Sequence, residues 1–238
     1  MPAADQGHAL QMRLKTVFKR IFLDGRLLKQ LALALSLLVS SPLVTHASTP
    51  PDFSRLFSYK EHVKEGFQFF PMWTRVQQQH PRDLLAERDC EHSRRLSCNL
   101  TEWQNYLSTL KSQDSRAQIS SINSFANDKK YILDMDNYGA GDYWATVKEF
   151  LVNNGDCEDF SIMKYYSLRS LGFSADELRI VIVQDTNLRI PHAILAVSFG
   201  GDILILDNQA AQVVSHRHAV HYVPVYSINE KQWWMHLP

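Results

Sequence analysis

The run CEDFSIMKYYSLRSL, Cys157 to Leu171, is the strongest constraint on the fold. It is built of helix formers, and Phe160, Ile162, Met163, Tyr165, Tyr166, Leu168 and Leu171 are distributed all round it. A helix that is apolar on every side is buried, not laid on a surface. Gly172 supplies its C′ stop. Beyond that glycine the pattern changes. RIVIVQD (179–185), HAILAVSF (192–199), DILILDN (202–208) and HYVPVYSI (221–228) are β-branched and aromatic. Three amphipathic helices precede the buried one. LTEWQNYLSTLKSQ has Thr101 as N-cap and Trp103, Tyr106, Leu107 and Leu110 on one stripe. DSRAQISSINSFAN is capped by Asp114 and turns Ile119, Ile122, Phe125 and Ala126 inward. ATVKEFLVNNG opens on a capping box, Thr146 with Glu149. Helices followed by strands predict an α+β domain with an antiparallel sheet. Residues 48–65 read as a loosely held arm, and 65–73 as aromatic packing.

Two of the strands are joined by FGGD, and Gly200-Gly201 is a strong two-residue hairpin turn. Phe199 then pairs with Asp202, Ile194 with Asp207, and His192 with Gln209. These last four share one face, so His192 and Asp207 become diagonal neighbours, roughly 7–8 Å apart between backbones and within side-chain reach. A carboxylate so placed can hold the imidazole's tautomer and free its other nitrogen to act as a base.

Cys157 stands at the start of the buried helix, where the dipole favours a thiolate. Cys, His and Asp on helix, strand and strand have the general form of a cysteine-nucleophile triad. Yet Asp156, Glu158 and Asp159 surround the thiol, and negative neighbours hold a thiol protonated. The residues alone also allow a plainer account. Asp156 would be an N-cap, Glu158 and Asp159 would complement the dipole, His192 would be a core histidine and Asp207 a turn residue. His216, His218 and His221 in SHRHAVH are a weaker metal candidate with no cysteine near them.

The first 47 residues differ from the rest. Six basic residues between Arg13 and Lys29 precede LALALSLLVSSPLV, and THAS puts Thr45 and Ala47 at the −3 and −1 positions of a cleavage site. This is the order of a secretory signal; the competing reading is an uncleaved anchor. Residues 48–238 are expected to be the exported domain. Removing residues 1–47 takes away six Lys/Arg and two Asp/Glu from 25 of each, leaving a net charge of −4. Nothing in that balance points to nucleic acid. The chain has three cysteines, an odd number, which in an oxidising compartment suggests one pair and one free thiol. Cys90 and Cys98 bracket a short polar loop and can close it, leaving Cys157 free.

DYWATVKEFL, then GDCEDFSIMKYYSLRSLG, then PHAILAV, then LILDN resembles the bacterial transglutaminase-like cysteine peptidases, in particular the periplasmic adhesin proteases among them. The likeness covers roughly residues 67–230, and HAIL stands where the family usually has HMVL. It implies a papain-like core in which the Cys-bearing helix packs on the antiparallel sheet. It implies Cys157 as nucleophile, His192 as base and Asp207 as the residue that orients it. It implies Ca²⁺ bound by Asp156, Glu158 and Asp159, with backbone carbonyls and water completing the shell, because three carboxylates are few for that ion. Trp144 resembles the aromatic near the thiol in such sites. The implied substrate is the N-terminal region of a large surface adhesin, and the implied partner an inner-membrane cyclic-di-GMP receptor of the LapD type. A transglutaminase or amidase using the same triad, and a non-catalytic calcium-stabilised binding module, are the alternatives.

Overall fold

The computed structural model describes residues 50–87 and 98–238. The proposed export signal and Cys90 lie outside them. Six helices are described. They are α1 (Pro71–Glu87), α2 (Asn99–Leu110), α3 (Ser115–Asn127), α4 (Asp134–Tyr138), α5 (Val147–Asn153) and α6 (Cys157–Ser170). Seven strands are described: β1 (Lys60–Lys64), β2 (Leu178–Asp185), β3 (Ile190–Phe199), β4 (Asp202–Leu206), β5 (Val214–Ser215), β6 (Tyr222–Ile228) and β7 (Trp233–Leu237). The strands form one sheet in the order β1-β7-β6-β2-β3-β4-β5, and every pairing is antiparallel. The α+β expectation holds.

The helices cap as their sequences direct. Asp114 Oδ1 accepts from the Ala117 amide at 2.9 Å. Thr146 and Glu149 form the reciprocal box, at 2.7 and 3.3 Å. α2 is a correction: it begins at Asn99 with Cys98 as N-cap, not at Thr101. Leu100 is fully buried and belongs to the same stripe as Trp103, Leu107 and Leu110, so packing draws the helix start back along the chain. α1 was not legible as a helix because Pro81 interrupts its pattern. Its inward stripe is Trp73, Val76, His80 and Asp83.

The two faces of the sheet explain the alternation of its strands. Ile180, Leu195, Val197, Leu204 and Leu206 face the helices, with α6 packed across β2 and β3 and against α3 and α5. Val181, Val183, Ile194, Ala196, Ile203 and Ile205 face the other way, where Phe53 and Leu56 cover them. The segment expected to be a loose arm is therefore half of a core. Burial of Phe53 and Leu56 stabilises its attachment by about 1.5–3 kcal/mol each, and β1 then pairs with β7 along Lys60–Lys64.

Arg179 locks this arm. Its guanidinium lies 4.2 Å from the Phe53 ring centroid and 3.5 Å from that of Trp234, and it forms an ion pair with Glu61. Arg179→Ala is expected to lower stability by roughly 2–4 kcal/mol, since it removes the cation between two rings and strands Glu61. Arg179→Lys should recover less than half, because an ammonium cannot stack as a plane. Thermal unfolding followed by circular dichroism measures both.

Candidate functional site

The predicted hairpin register is present. Phe199 pairs with Asp202 and Leu195 with Leu206. The continuation past β4 brings His192 Nε2 to 2.9 Å from Asp207 Oδ1, and both side chains are buried. A carboxylate only accepts, so Nε2 carries the proton and Nδ1 is the nitrogen left with a lone pair. Gln209, the residue predicted opposite His192, has its Nε2 at 3.5 Å from Nδ1. Asp207 takes two further bonds, from the Gln209 amide at 2.9 Å and from the Tyr222 hydroxyl at 2.5 Å. Burial works against its charge, but His192, Tyr222 and the Gln209 amide outweigh it and hold the carboxyl below the usual range. Tyr222 escaped the sequence reading because it reaches Asp207 from β6, which pairs with neither β3 nor β4.

Cys157 is the first residue of α6 and a free thiol. Cys98 is disulfide-bonded, and Cys90, expected as its partner, lies outside the described residues. The backbone N–H of Ala193, next to His192, points at the Cys157 sulfur, so the helix start and β3 meet at this point. Burial pushes the thiol up, and the charge of Glu158, whose Oε2 sits 3.1 Å from Sγ, pushes it further; the Ala193 N–H acts the other way.

The acidic turn is wider than its three sequence neighbours. Tyr131 bridges to Gly155, and the Ile132 amide donates to the Gly155 carbonyl at 2.8 Å. That splint carries Asp134 to the turn. A Cβ on Gly155 would lie 2.0 Å from Asp159 Oδ2, so only glycine lets that carboxylate close in. Asp134, Asp156 and Asp159 bring one oxygen each within 4.8 Å of one another, and so do Asp134, Asp142 and Glu158. Capping accounts for Asp159, whose oxygens accept from the Ala145 amide at 2.6 Å and the Asp156 amide at 3.2 Å. It does not account for Asp156 Oδ1 and Asp134 Oδ1, which are buried without a protein partner. Burial, followed by the charge of Asp156, raises Asp134 to about 6; burial and the neighbouring Asp156 raise Glu158 to about 9. Burial also raises Asp156 and lifts Asp159 well above the carboxylate range. Five crowded carboxyls with two orphaned oxygens fit a hard divalent cation with oxygen ligands. Asp134 and Asp142 stand in DMDNYGAGD, an Asp- and Gly-rich stretch far enough upstream that no local spacing connects it to Cys157.

The remaining candidates have structural places. His216 Nδ1 accepts from the Phe57 amide at 3.1 Å on the arm side, whereas His218 is exposed. Trp144 is buried, edge-on to Trp73 with ring centroids 6.3 Å apart.

A family model described as bacterial transglutaminase-like cysteine proteinase BTLCP matches residues 87–238. Among solved structures, LapG from Legionella pneumophila is similar at 29% identity and a TM-score of 0.56, over 64% of this chain and 87% of that one. Its EGTA-treated form gives a TM-score of 0.58 at 29% identity, over 66% and 86% of the two chains. Its calcium-bound form gives 0.56 at 29% identity, over 65% and 86%. No curated protein sequence matches. A free thiol at a helix start, a histidine bonded to aspartate on the adjoining hairpin, and a family match over most of the described chain converge: the chain belongs to the bacterial transglutaminase-like cysteine proteinases.

Proposed function

We propose that this protein is a calcium-dependent exported cysteine endopeptidase that cuts the N-terminal region of a large surface adhesin. The observation that carries the catalytic part is the His192–Asp207 bond of 2.9 Å on the strand whose Ala193 amide points at the Cys157 sulfur. Cys157 attacks the peptide carbonyl after Nδ1 of His192 takes its proton. His192 returns the proton to the leaving amine, and the acyl-enzyme forms. His192 then deprotonates water, which attacks the thioester and restores the thiol. Asp207 accepts from Nε2–H throughout and stabilises the imidazolium; Tyr222 and the Gln209 amide keep it ionised. In this reading the amides of the first turn of α6, which begins at Cys157, supply donors to the oxyanion, because they have no intrahelical acceptor.

Asp134, Asp142, Asp156, Glu158 and Asp159 are the residues to hold the calcium ion. Bound there, it supplies positive charge that cancels the acid around the thiol and stabilises the turn. Support for calcium comes from the two orphaned carboxylate oxygens and from the similarity to a LapG whose calcium-bound form is known. The adhesin substrate and sequestration by a LapD-type cyclic-di-GMP receptor rest on the likeness of the sequence motifs to the periplasmic adhesin proteases, and residues 48–238 as a periplasmic domain also on the signal-like order of residues 13–47. In this reading cleavage releases the adhesin and disperses a biofilm.

The test is incubation of the purified protein with the N-terminal region of a large adhesin from the same organism, with calcium or with chelator, and mass spectrometry of the products. A single cut made only with calcium is the expected result. An intact adhesin that instead becomes cross-linked to an added amine would favour the transglutaminase.

A further inference from the structure

The nitrogen that has to act as the base is not left open. Nδ1 of His192 faces the side-chain amide of Gln209, whose Nε2 lies 3.5 Å away. The other ring nitrogen is bonded to Asp207 and carries the proton, so Nδ1 can only accept, and the carboxamide turns its NH₂ toward it. That distance exceeds an ordinary hydrogen-bond length, and a better partner displaces such a contact easily. His192 is buried, whereas Gln209 is exposed, so the glutamine covers the base from the solvent side. Its backbone is held firmly. The Gln209 amide donates to Asp207 Oδ1 at 2.9 Å, closing an Asx turn on the triad carboxylate. From α3, Asn127 Nδ2 donates to the Asp207 carbonyl at 2.8 Å and to the Ala210 carbonyl at 3.0 Å, and Asn123 Nδ2 donates to the Ala210 carbonyl at 3.3 Å. Both ends of the 207–210 turn are thus fixed, and the part of Gln209 left to swing is its side chain.

The reaction says what that side chain meets. Nδ1 hands its proton to the leaving amine, so the leaving nitrogen has to come within about 3 Å of it. A polypeptide seated that way displaces the Gln209 amide from Nδ1 and lies against it, with the residue that follows the cut nearest. A carboxamide has two donor hydrogens and an acceptor oxygen, the complement of the C=O and N–H that an extended backbone presents. We propose that Gln209 is a specificity-determining residue for the leaving-group side of the substrate: in the free protein it covers Nδ1 of His192, and on binding it yields that nitrogen and hydrogen-bonds the backbone of the residue after the cut. The proposal rests on the endopeptidase reading above. It makes the site prefer a polypeptide that continues past the cut over the same acyl group on a small leaving group, which has no backbone to engage the carboxamide.

The test uses the calcium-supplied protein and two substrates made from the adhesin segment that is cut. They are identical up to the cut; one continues with the natural residues and the other ends there as a methyl ester. Gln209→Ala keeps the backbone amide that serves Asp207. In it the ratio of kcat/KM for the peptide to kcat/KM for the ester is expected to fall about tenfold, as for the loss of one hydrogen bond made to the peptide alone. A glutamine that acted only through the fold or the triad would change both substrates alike and leave the ratio where it was. A second arm needs no peptide. Alkylation of Cys157 by iodoacetamide, read by mass spectrometry with Cys157→Ala as the blank, should run about threefold faster in Gln209→Ala, because Nδ1 is then free to take the thiol proton. An unchanged ratio overturns the proposal, and so does alkylation no faster than in the parent. If the parental protein cuts no adhesin segment, the endopeptidase reading fails and the substrate half of this proposal with it, while the alkylation rates still decide whether Gln209 covers the base.

Discussion

Asp207→Asn is expected to lower turnover about ten-thousandfold while leaving the fold in place. The reason is in the hydrogen bonds. Asp207 accepts from His192 Nε2, from the Gln209 amide and from the Tyr222 hydroxyl. An asparagine has one acceptor oxygen. If its NH₂ faces His192, the ring must carry its proton on Nδ1, the nitrogen needed as base. If its NH₂ faces Tyr222, the tautomer survives but the imidazolium loses its charge partner. Cys157→Ala should abolish cleavage outright, since no second described thiol is free. Tyr222→Phe should cost far less, on the order of tenfold, because it removes one neutral donor from a carboxylate that keeps two others. Single-turnover cleavage measures all three, with circular dichroism to confirm folding. Parental rates in Asp207→Asn would mean that another group orients the imidazole.

Chelation should remove activity, and calcium added back should restore it. The physical case is the turn itself. Without a cation, Glu158 stands 3.1 Å from the Cys157 sulfur and the carboxyls around it are held protonated by burial and by one another. Those groups must ionise to ligate, so calcium binding releases protons. Calcium affinity is therefore expected to rise with pH through the range set by Asp134, about 6, and Glu158, about 9. Calorimetry in two buffers of different ionisation enthalpy counts the protons. Stability should rise by about 2.7 kcal/mol when free calcium is a hundred times its dissociation constant. Glu158→Ala should behave like chelation, and Asp134→Ala should weaken the ion without touching the helix start. Magnesium should substitute poorly, because it demands tighter octahedral geometry. Full activity in excess chelator, with no metal found by elemental analysis, would hand the acidic turn back to helix capping.

Much of the site was legible because its links are short in sequence. A two-residue glycine turn sets the register of β3 and β4, and that register alone puts His192 beside Asp207. Cys157 was legible as a helix start because a buried helix must begin somewhere, and Asp156 precedes its first turn. The links that failed to show run between segments with no fixed register. Tyr222 comes from β6, which joins β2 and β7. Asp134 is held by a bridge between Tyr131 and Gly155, and a single bridge has no sequence signature. The arm was misread for the same reason: Phe53 and Leu56 are buried by a sheet face whose far partner is not local.

What the chain's order of residues determined by itself is everything governed by periodicity, caps and tight turns: the buried α6, the antiparallel hairpin, and a histidine bonded to an aspartate on it. Those depend on interactions within a few residues or across a closed turn, and such interactions are set by backbone geometry. Only the tertiary structure decided which groups face one another across unlinked segments. It brought Asp134 and Asp142 to Glu158 and turned Tyr222 onto Asp207. Each of these contacts depends on how α4, α6 and the sheet pack, and close packing of many side chains is a property of the whole core that no local pattern encodes.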